Sequence, residues 1–337
     1  MKRFVVLWVT IGLLASGCHS GEQPTKNVSE PQAVEDAADS EERTMPLTGL
    51  TTDGDISHPV VMVMVNNHPK ARPQTGLDRA DIVFEVLAEG EITRFAAFYH
   101  SETEGTVGPV RSVRPYYLDL AEGLNAVVAH AGGSPAAKER YSQSGFPSLD
   151  GIAEDGKYFT REDFRQAPHN LYTSVEQLLQ GASEQGFADG GPPPPLTFSA
   201  AEDVGGGATA NDIDVVYGPL YAVHYAYDTA TGQYTRWTQG EMHVDLETEQ
   251  PLTMHNVLAI KASHRVLDEQ GRREVGLTGS GEGWLFQKGT VREIQWKYVD
   301  GFPRPYADGQ ELPLIPGKTW VNVIPEDADV RYKDEEE

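Results

Sequence analysis

Val60-Val61-Met62-Val63-Met64-Val65-Asn66-Asn67-His68-Pro69 sets the architecture of the first half of the chain. The apolar residues run without a break and stop abruptly at polar residues and a proline. An alternating pattern would suit a half-exposed strand; a continuous one suits a strand covered on both faces, as in a mixed or parallel sheet. Working outward, residues 82–87 and 92–99 have the same character. Residues 116–124 read as a short helix and 126–131 as another short strand. That strand runs into Gly132-Gly133-Ser134-Pro135, where Ser134 suits a helix N-cap and Pro135 the first helical position. Ser174, with Gln177 three residues on, starts a further helix that Gly186 can end. Strands and helices in alternation predict an α/β or α+β domain over residues 46–187 with a mixed or parallel sheet.

Residues 188–212 hold Gly190-Gly191, the prolines 192–195 and Gly205-Gly206-Gly207, the composition of a linker or long exposed loop. Beyond it the pattern changes. Residues 221–227 and 233–238 alternate around Asp228-Thr229-Ala230-Thr231-Gly232, a hairpin signal. Residues 257–262, 283–287, 291–298 and 319–324 read as strands between Gly- and Asp-rich turns. A mostly β domain is expected over residues 213–325, followed by a solvated acidic tail, 326–337.

The 337 residues carry 27 basic against 51 acidic side chains, a net charge of −24. A field of that sign repels nucleic acid, so no nucleic-acid partner is expected. The single cysteine excludes an intrachain disulfide framework and a multi-cysteine zinc site, and neither a metal nor a cofactor is expected. That cysteine is Cys18. Before it stand Met1-Lys2-Arg3, a short apolar run, and Leu14-Ala15-Ser16-Gly17. This is a secretory signal whose end resembles a bacterial lipobox, with Ala15 where Leu is usual. Residues 1–18 are therefore expected to be a lipoprotein signal, and the Cys18 thiol the lipid attachment point. Two acyl chains hold a protein firmly on a membrane. Residues 19–45 are rich in Glu, Asp, Ser, Gln, Pro and Ala and read as a disordered tether. The expected location is the outer face of the cell membrane.

Five polar segments follow one another through the first half: 66–74 (NNHPKARPQ), 85–90 (EVLAEG), 108–114 (GPVRSVR), 130–134 (HAGGS) and 167–173 (APHNLYT). With Gly281-Glu282-Gly283-Trp284 and Pro316-Gly317-Lys318-Thr319-Trp320 in the second half, they resemble the YerB-like family of bacterial lipoproteins over residues 46–325. The resemblance implies an N-terminal and a C-terminal domain, both of unknown function, and brings no catalytic residues with it.

The chemistry must come from the residues. Arg72, Arg94, Arg111, Arg114, Arg161 and Arg165 fall in or beside the motifs, and a guanidinium recognises carboxylate or phosphate in two-point fashion. Gly133 and Ser134 open a helix whose N–H groups could seat an anion. Together they suggest a cleft binding an anionic group, a cell-wall fragment or a partner envelope protein. The competing reading pairs these arginines with Glu85, Glu89, Asp119 and Glu122. Glu85 and Glu89, with His130 or His169, could alternatively serve a hydrolase or transferase, but pairing of Glu85 with Arg94 accounts for both residues without catalysis. Asn66, Asn67, His68 and Asn170 complete the motif set; its histidines suit hydrogen-bonded turns better than a metal site. Trp237, Trp284, Trp296 and Trp320 suit either a core or a stacking surface, and an assembly or scaffold role is a third possibility.

Overall fold

The apolar run becomes strand β1 (Val60–Asn66), with every residue buried. Val61, Val63 and Val65 face one apolar layer; Val60, Met62 and Met64 face the other. Covering on both faces is what the unbroken apolarity requires. The structure, a computed structural model, describes residues 43–201, 204 and 206–333. The signal, Cys18 and residues 19–42 of the expected tether lie outside these, as do residues 334–337.

The first half contributes β2 (Ile82–Glu89), β3 (Ile92–Tyr99), α1 (Pro115–Gly123), β4 (Ala126–His130), α2 (Pro135–Ser144), β5 (Ser148–Asp150) and α3 (Val175–Glu184). The second half is mostly strands: β6 (Asp212–Gly218), β7 (Tyr221–Asp228), β8 (Gln233–Thr238), β9 (Asn256–Lys261), β10 (Ser280–Gln287), β11 (Thr290–Val299), β12 (Phe302–Ala307), β13 (Thr319–Ile324) and β14 (Asp329–Lys333). A mixed sheet with few helices thus precedes a largely antiparallel β region.

The principal sheet is twelve-stranded and crosses the expected domain boundary. Its central order is β12-β11-β10-β9-β13-β2-β3-β1-β4-β5. At the seam β13 lies parallel to β9 on one side and to β2 on the other, with Asn322 opposite Glu85. A second sheet, β8-β7-β6-β14 with short flanking strands, packs on one face of the first. The same layer includes α3, while α1 and α2 cover the opposite face. The sequence leads one to expect separable halves; the described residues form one unit.

Three boundaries also shift. The expected linker is pinned: Leu196 is buried, Phe198 bridges to Leu314, and Ala208–Thr209 pairs with β11. The expected tether ends early, because Arg43–Thr44 pairs with Thr51–Thr52 and Met45 is buried. The expected acidic tail contains strand β14, which pairs with β6 because Val330 and Tyr332 alternate inward between charged residues. Among the described residues no helix is long and apolar enough to cross a membrane.

Candidate anion site

Glu85 has no exposed surface, and its partner is not Arg94. Its Oε2 accepts from an NH2 group of Arg236 at 2.7 Å and from Trp320 Nε1 at 3.2 Å. Its Oε1 accepts from Tyr221 Oη at 2.6 Å, Thr93 Oγ1 at 2.9 Å and Asn67 Nδ2 at 3.3 Å. Arg236 is equally buried, stacks over Trp320 at 4.8 Å, and donates to His243 Nδ1, whose Nε2 donates to Gln74 Oε1 at 2.7 Å. A carboxylate surrounded by donors and sealed between two sheets is unsuited to proton transfer with a substrate. Arg236 was legible in principle: the alternation of Tyr234, Arg236 and Thr238 puts all three on the inward face of β8.

Glu89 lies elsewhere. The register of β2 and β3 shifts between Leu87 and Glu89, and one extra residue turns the following side chain to the other face. There Glu89 accepts from Arg94 at 2.7 Å and from Arg114. Arg94 and Arg114, expected in the cleft, are therefore structural partners of Glu89, with Arg94 also donating to Ser112 O at 2.8 Å. Asp119 and Glu122 are paired with Arg140, a residue outside the motifs. Glu85 and Glu89 form no carboxylate pair.

Arg114 and Ser134 do share a groove of about 850 Å³, closed on its far side by the second-half hairpin that carries Leu267, Arg272 and Arg273. Ser134 Oγ caps α2 by accepting from Ala137 N, and Gly133 packs closely under Val113 and Ala137. His130 is fully buried, with Nδ1 donating to Gly132 O at 3.0 Å and its ring against Tyr141; burial lowers its pKa. It shares no contact with Glu85 or His169.

The remaining motif residues gather at the C-terminal end of β1. Arg111 joins that end to β4: its N–H donates to Met64 O and its carbonyl accepts from Ala131 N. Its side chain is half-buried and has no acceptor among the described residues. Burial, and then the charge of Arg94, lowers its pKa, but a guanidinium stays charged. Asn66 is buried and its Nδ2 lies 2.9 Å from His169 Nδ1; the His169 ring stacks on His68 at 4.8 Å. Burial lowers the pKa of both histidines, assisted at His68 by Lys70, Arg111 and Arg72, and at His169 by His68, Arg111, Lys70 and Arg165. Both shifts favour the neutral ring.

The other candidates serve the scaffold. Arg72 donates to Asn67 Oδ1 at 2.9 Å and to Gln239 Oε1 at 2.7 Å, tying the loop after β1 to the second sheet. Arg165 donates to the carbonyls of Ala71 and Pro73. Arg161 is exposed, pairs with Asp155 at 2.6 Å and donates to Asn170 Oδ1 at 3.3 Å. Trp296 and Trp320 are core residues; Trp237 and Trp284 are half-buried. Asp212, Asp214 and His224 bring possible metal-ligating atoms within 4.8 Å of one another, but the strand register sets Lys333 and Arg331 beside the two carboxylates.

Two family models match the chain, the N-terminal domain of a protein of unknown function, DUF3048, over residues 47–188 and its C-terminal domain over residues 213–321. The chain belongs to the DUF3048 family. This agrees with the resemblance drawn from the motifs. A protein of Bacillus subtilis (strain 168) named "Putative lipoprotein YerB" is 42% identical over 285 residues, covering 83% of this chain and 86% of that protein. The crystal structure of the B. subtilis YerB protein matches with a TM-score of 0.80 at 40% identity, over 86% of this chain and all of that one. DUF3048 describes two sequence domains; in the fold their strands share one sheet.

Proposed function

We propose that this DUF3048 chain is a lipoprotein, lipid-anchored on the outer face of the cell membrane, whose folded part binds an anionic component of the cell envelope, with Arg111 as the anchor. The observation that carries this reading is the circumstance of Arg111. In a chain of net charge −24, the half-buried Arg111 guanidinium has no carboxylate partner among the described residues, while Arg94, Arg114, Arg140 and Arg236 all have one. A desolvated cation without a counter-charge is costly unless a ligand supplies one. Anchoring rests on Cys18 and the residues before it, and on the lipoprotein name of the B. subtilis relative.

The hydrolase or transferase reading, which takes Glu85 or Glu89 with His130 or His169, is less well supported: Glu85 is sealed, Glu89 is held by two arginines, His130 is buried, and His169 Nδ1 is engaged by Asn66. The binding test screens the protein against purified cell-wall fragments, beside Arg111→Ala. Loss of a captured anionic fragment in the variant is expected; capture unchanged by Arg111→Ala sinks the site. Fatty-acid labelling of wild type and Cys18→Ser tests the anchor, with label expected only in wild type.

A further inference from the structure

The environment of His68 and His169 dictates where each ring carries its proton. The Lys70 backbone N–H lies 3.1 Å from His68 Nδ1; a backbone N–H can only donate, so Nδ1 accepts. For His169 the deciding residue is Asn66. The His68 backbone N–H donates to Asn66 Oδ1 at 3.1 Å, which settles the end of the amide that is oxygen. The amide nitrogen therefore faces His169 Nδ1 at 2.9 Å and donates to it. A neutral imidazole whose Nδ1 accepts has its proton on Nε2. Both rings, stacked with 28° between their planes, thus offer an Nε2–H donor. Protonating either ring would set a second N–H against a donor, and Lys70, Arg72, Arg111 and Arg165 all oppose it.

We infer that Arg111 and the His68–His169 stack form an all-donor seat for a phosphoryl-type oxyanion, taken in deprotonated form. This rests on the anion-binding reading above. Sugar hydroxyls bring protons that need acceptors, and these three side chains provide none. A carboxylate offers two oxygens in one plane. A tetrahedral oxyanion offers oxygens in several directions, which suits a planar guanidinium working with donors from two stacked rings. The same arrangement argues against proton abstraction: at both rings the only nitrogen able to accept a proton is already engaged. Free phosphate and a phosphodiester of an envelope polymer or lipid headgroup share this chemistry.

The test is calorimetric titration of the full-length protein in detergent with inorganic sulfate, inorganic phosphate, a glycerol phosphodiester and acetate. At least one tetrahedral probe is expected to bind about tenfold tighter than acetate. Binding of phosphate alone indicates the free ion, and binding of the diester as well indicates a polymer or headgroup; both support the seat. Sulfate keeps its charge between about pH 8 and pH 6, so its affinity should be flat over that range; about tenfold tightening at the lower pH would mean cationic rings and overturn the inference. His68→Leu and His169→Leu should each weaken binding about tenfold, while His68→Gln and His169→Gln, whose amide nitrogens donate from near the Nε2 position, should stay within about threefold. The glutamine variants decide the matter if the leucine variants fold poorly. Equal losses in folded glutamine and leucine variants, or acetate binding as tightly as the tetrahedral probes, would end the inference while leaving an Arg111-dependent anion site intact. Binding of every probe unchanged in Arg111→Ala, or no binding at all, would end the underlying reading too.

Discussion

Arg236 and Arg111 are the same side chain in opposite circumstances. Arg236 is fully buried, yet Glu85 lies 2.7 Å away, Trp320 and Phe95 lie against its guanidinium, and His243 accepts from it. Arg111 is only half-buried and has no acceptor among the described residues. The first was unremarkable in the sequence, one residue of an alternating strand; the second stood in a dense polar motif. The difference shows that the strongest electrostatic demand of the fold is met by a residue that no motif contains.

The severest way to break this contrast is to end the chain after residue 212. That removes Arg236, Tyr221 and Trp320 from Glu85 and takes β13 away from β2. We expect the fragment to show no cooperative transition in urea followed by circular dichroism. A transition near that of the whole chain would mean that the shared seam contributes little.

Arg236→Ala comes next. It leaves a buried carboxylate without its counter-charge, and should cost about 3–5 kcal/mol in denaturant unfolding. Combining Arg236→Met with Glu85→Gln should recover much of that loss, since both charges are then gone. If Arg236→Ala costs under about 1 kcal/mol, water must reach the network and the contrast with Arg111 collapses.

A smaller effect sharpens the comparison through pH. Burial, then the charges of Arg236 and Arg72, push the His243 pKa well down. An unfolded histidine titrates near ~6.5, so below that pH the unfolded chain binds a proton that the native chain refuses. The contribution is complete above about pH 6.5 and falls as acid is added, by at most about 1.4 kcal/mol per pH unit. Urea midpoints near pH 7.5 and pH 5.5 should therefore separate less in His243→Gln than in wild type. An unchanged separation would place the acid sensitivity elsewhere.

The smallest stability change is expected at Arg111. Arg111→Lys keeps a charge at a half-open position and should alter unfolding by within about 1 kcal/mol, yet lose anion binding because an ammonium lacks the planar fork. A large loss of stability would make Arg111 another Arg236.

Local structure was legible because its signals are local. The run at residues 60–65 gave a doubly covered strand, Ser134 and Ser174 cap helices as expected, and Gln177 donates its N–H to Ser174 Oγ. Non-local pairing left no such trace. Nothing in Thr319–Ile324 announces that it lies beside Ile82–Glu89, because its apolar residues would suit any doubly covered position. The choice of Arg94 as partner for Glu85 failed for the same reason, and a one-residue bulge moved Glu89 to the opposite face. Asn66, His68, Arg111 and His169, the residues of the proposed seat, all lie in the motifs, although the tautomers depend on hydrogen bonds that only the folded chain reveals.

The seam strand has a further consequence for the order of assembly. Strand β13 lies near the end of the chain, yet it fills the place between β9 and β2. A polypeptide emerging N-terminus first cannot close its principal sheet until residue 324 is out. Until then β2 has an open edge and Glu85 waits for donors more than a hundred residues away. Such long-range closure is slow in any protein. The same delay leaves the seam the last part of the principal sheet to form, whichever way the chain is delivered.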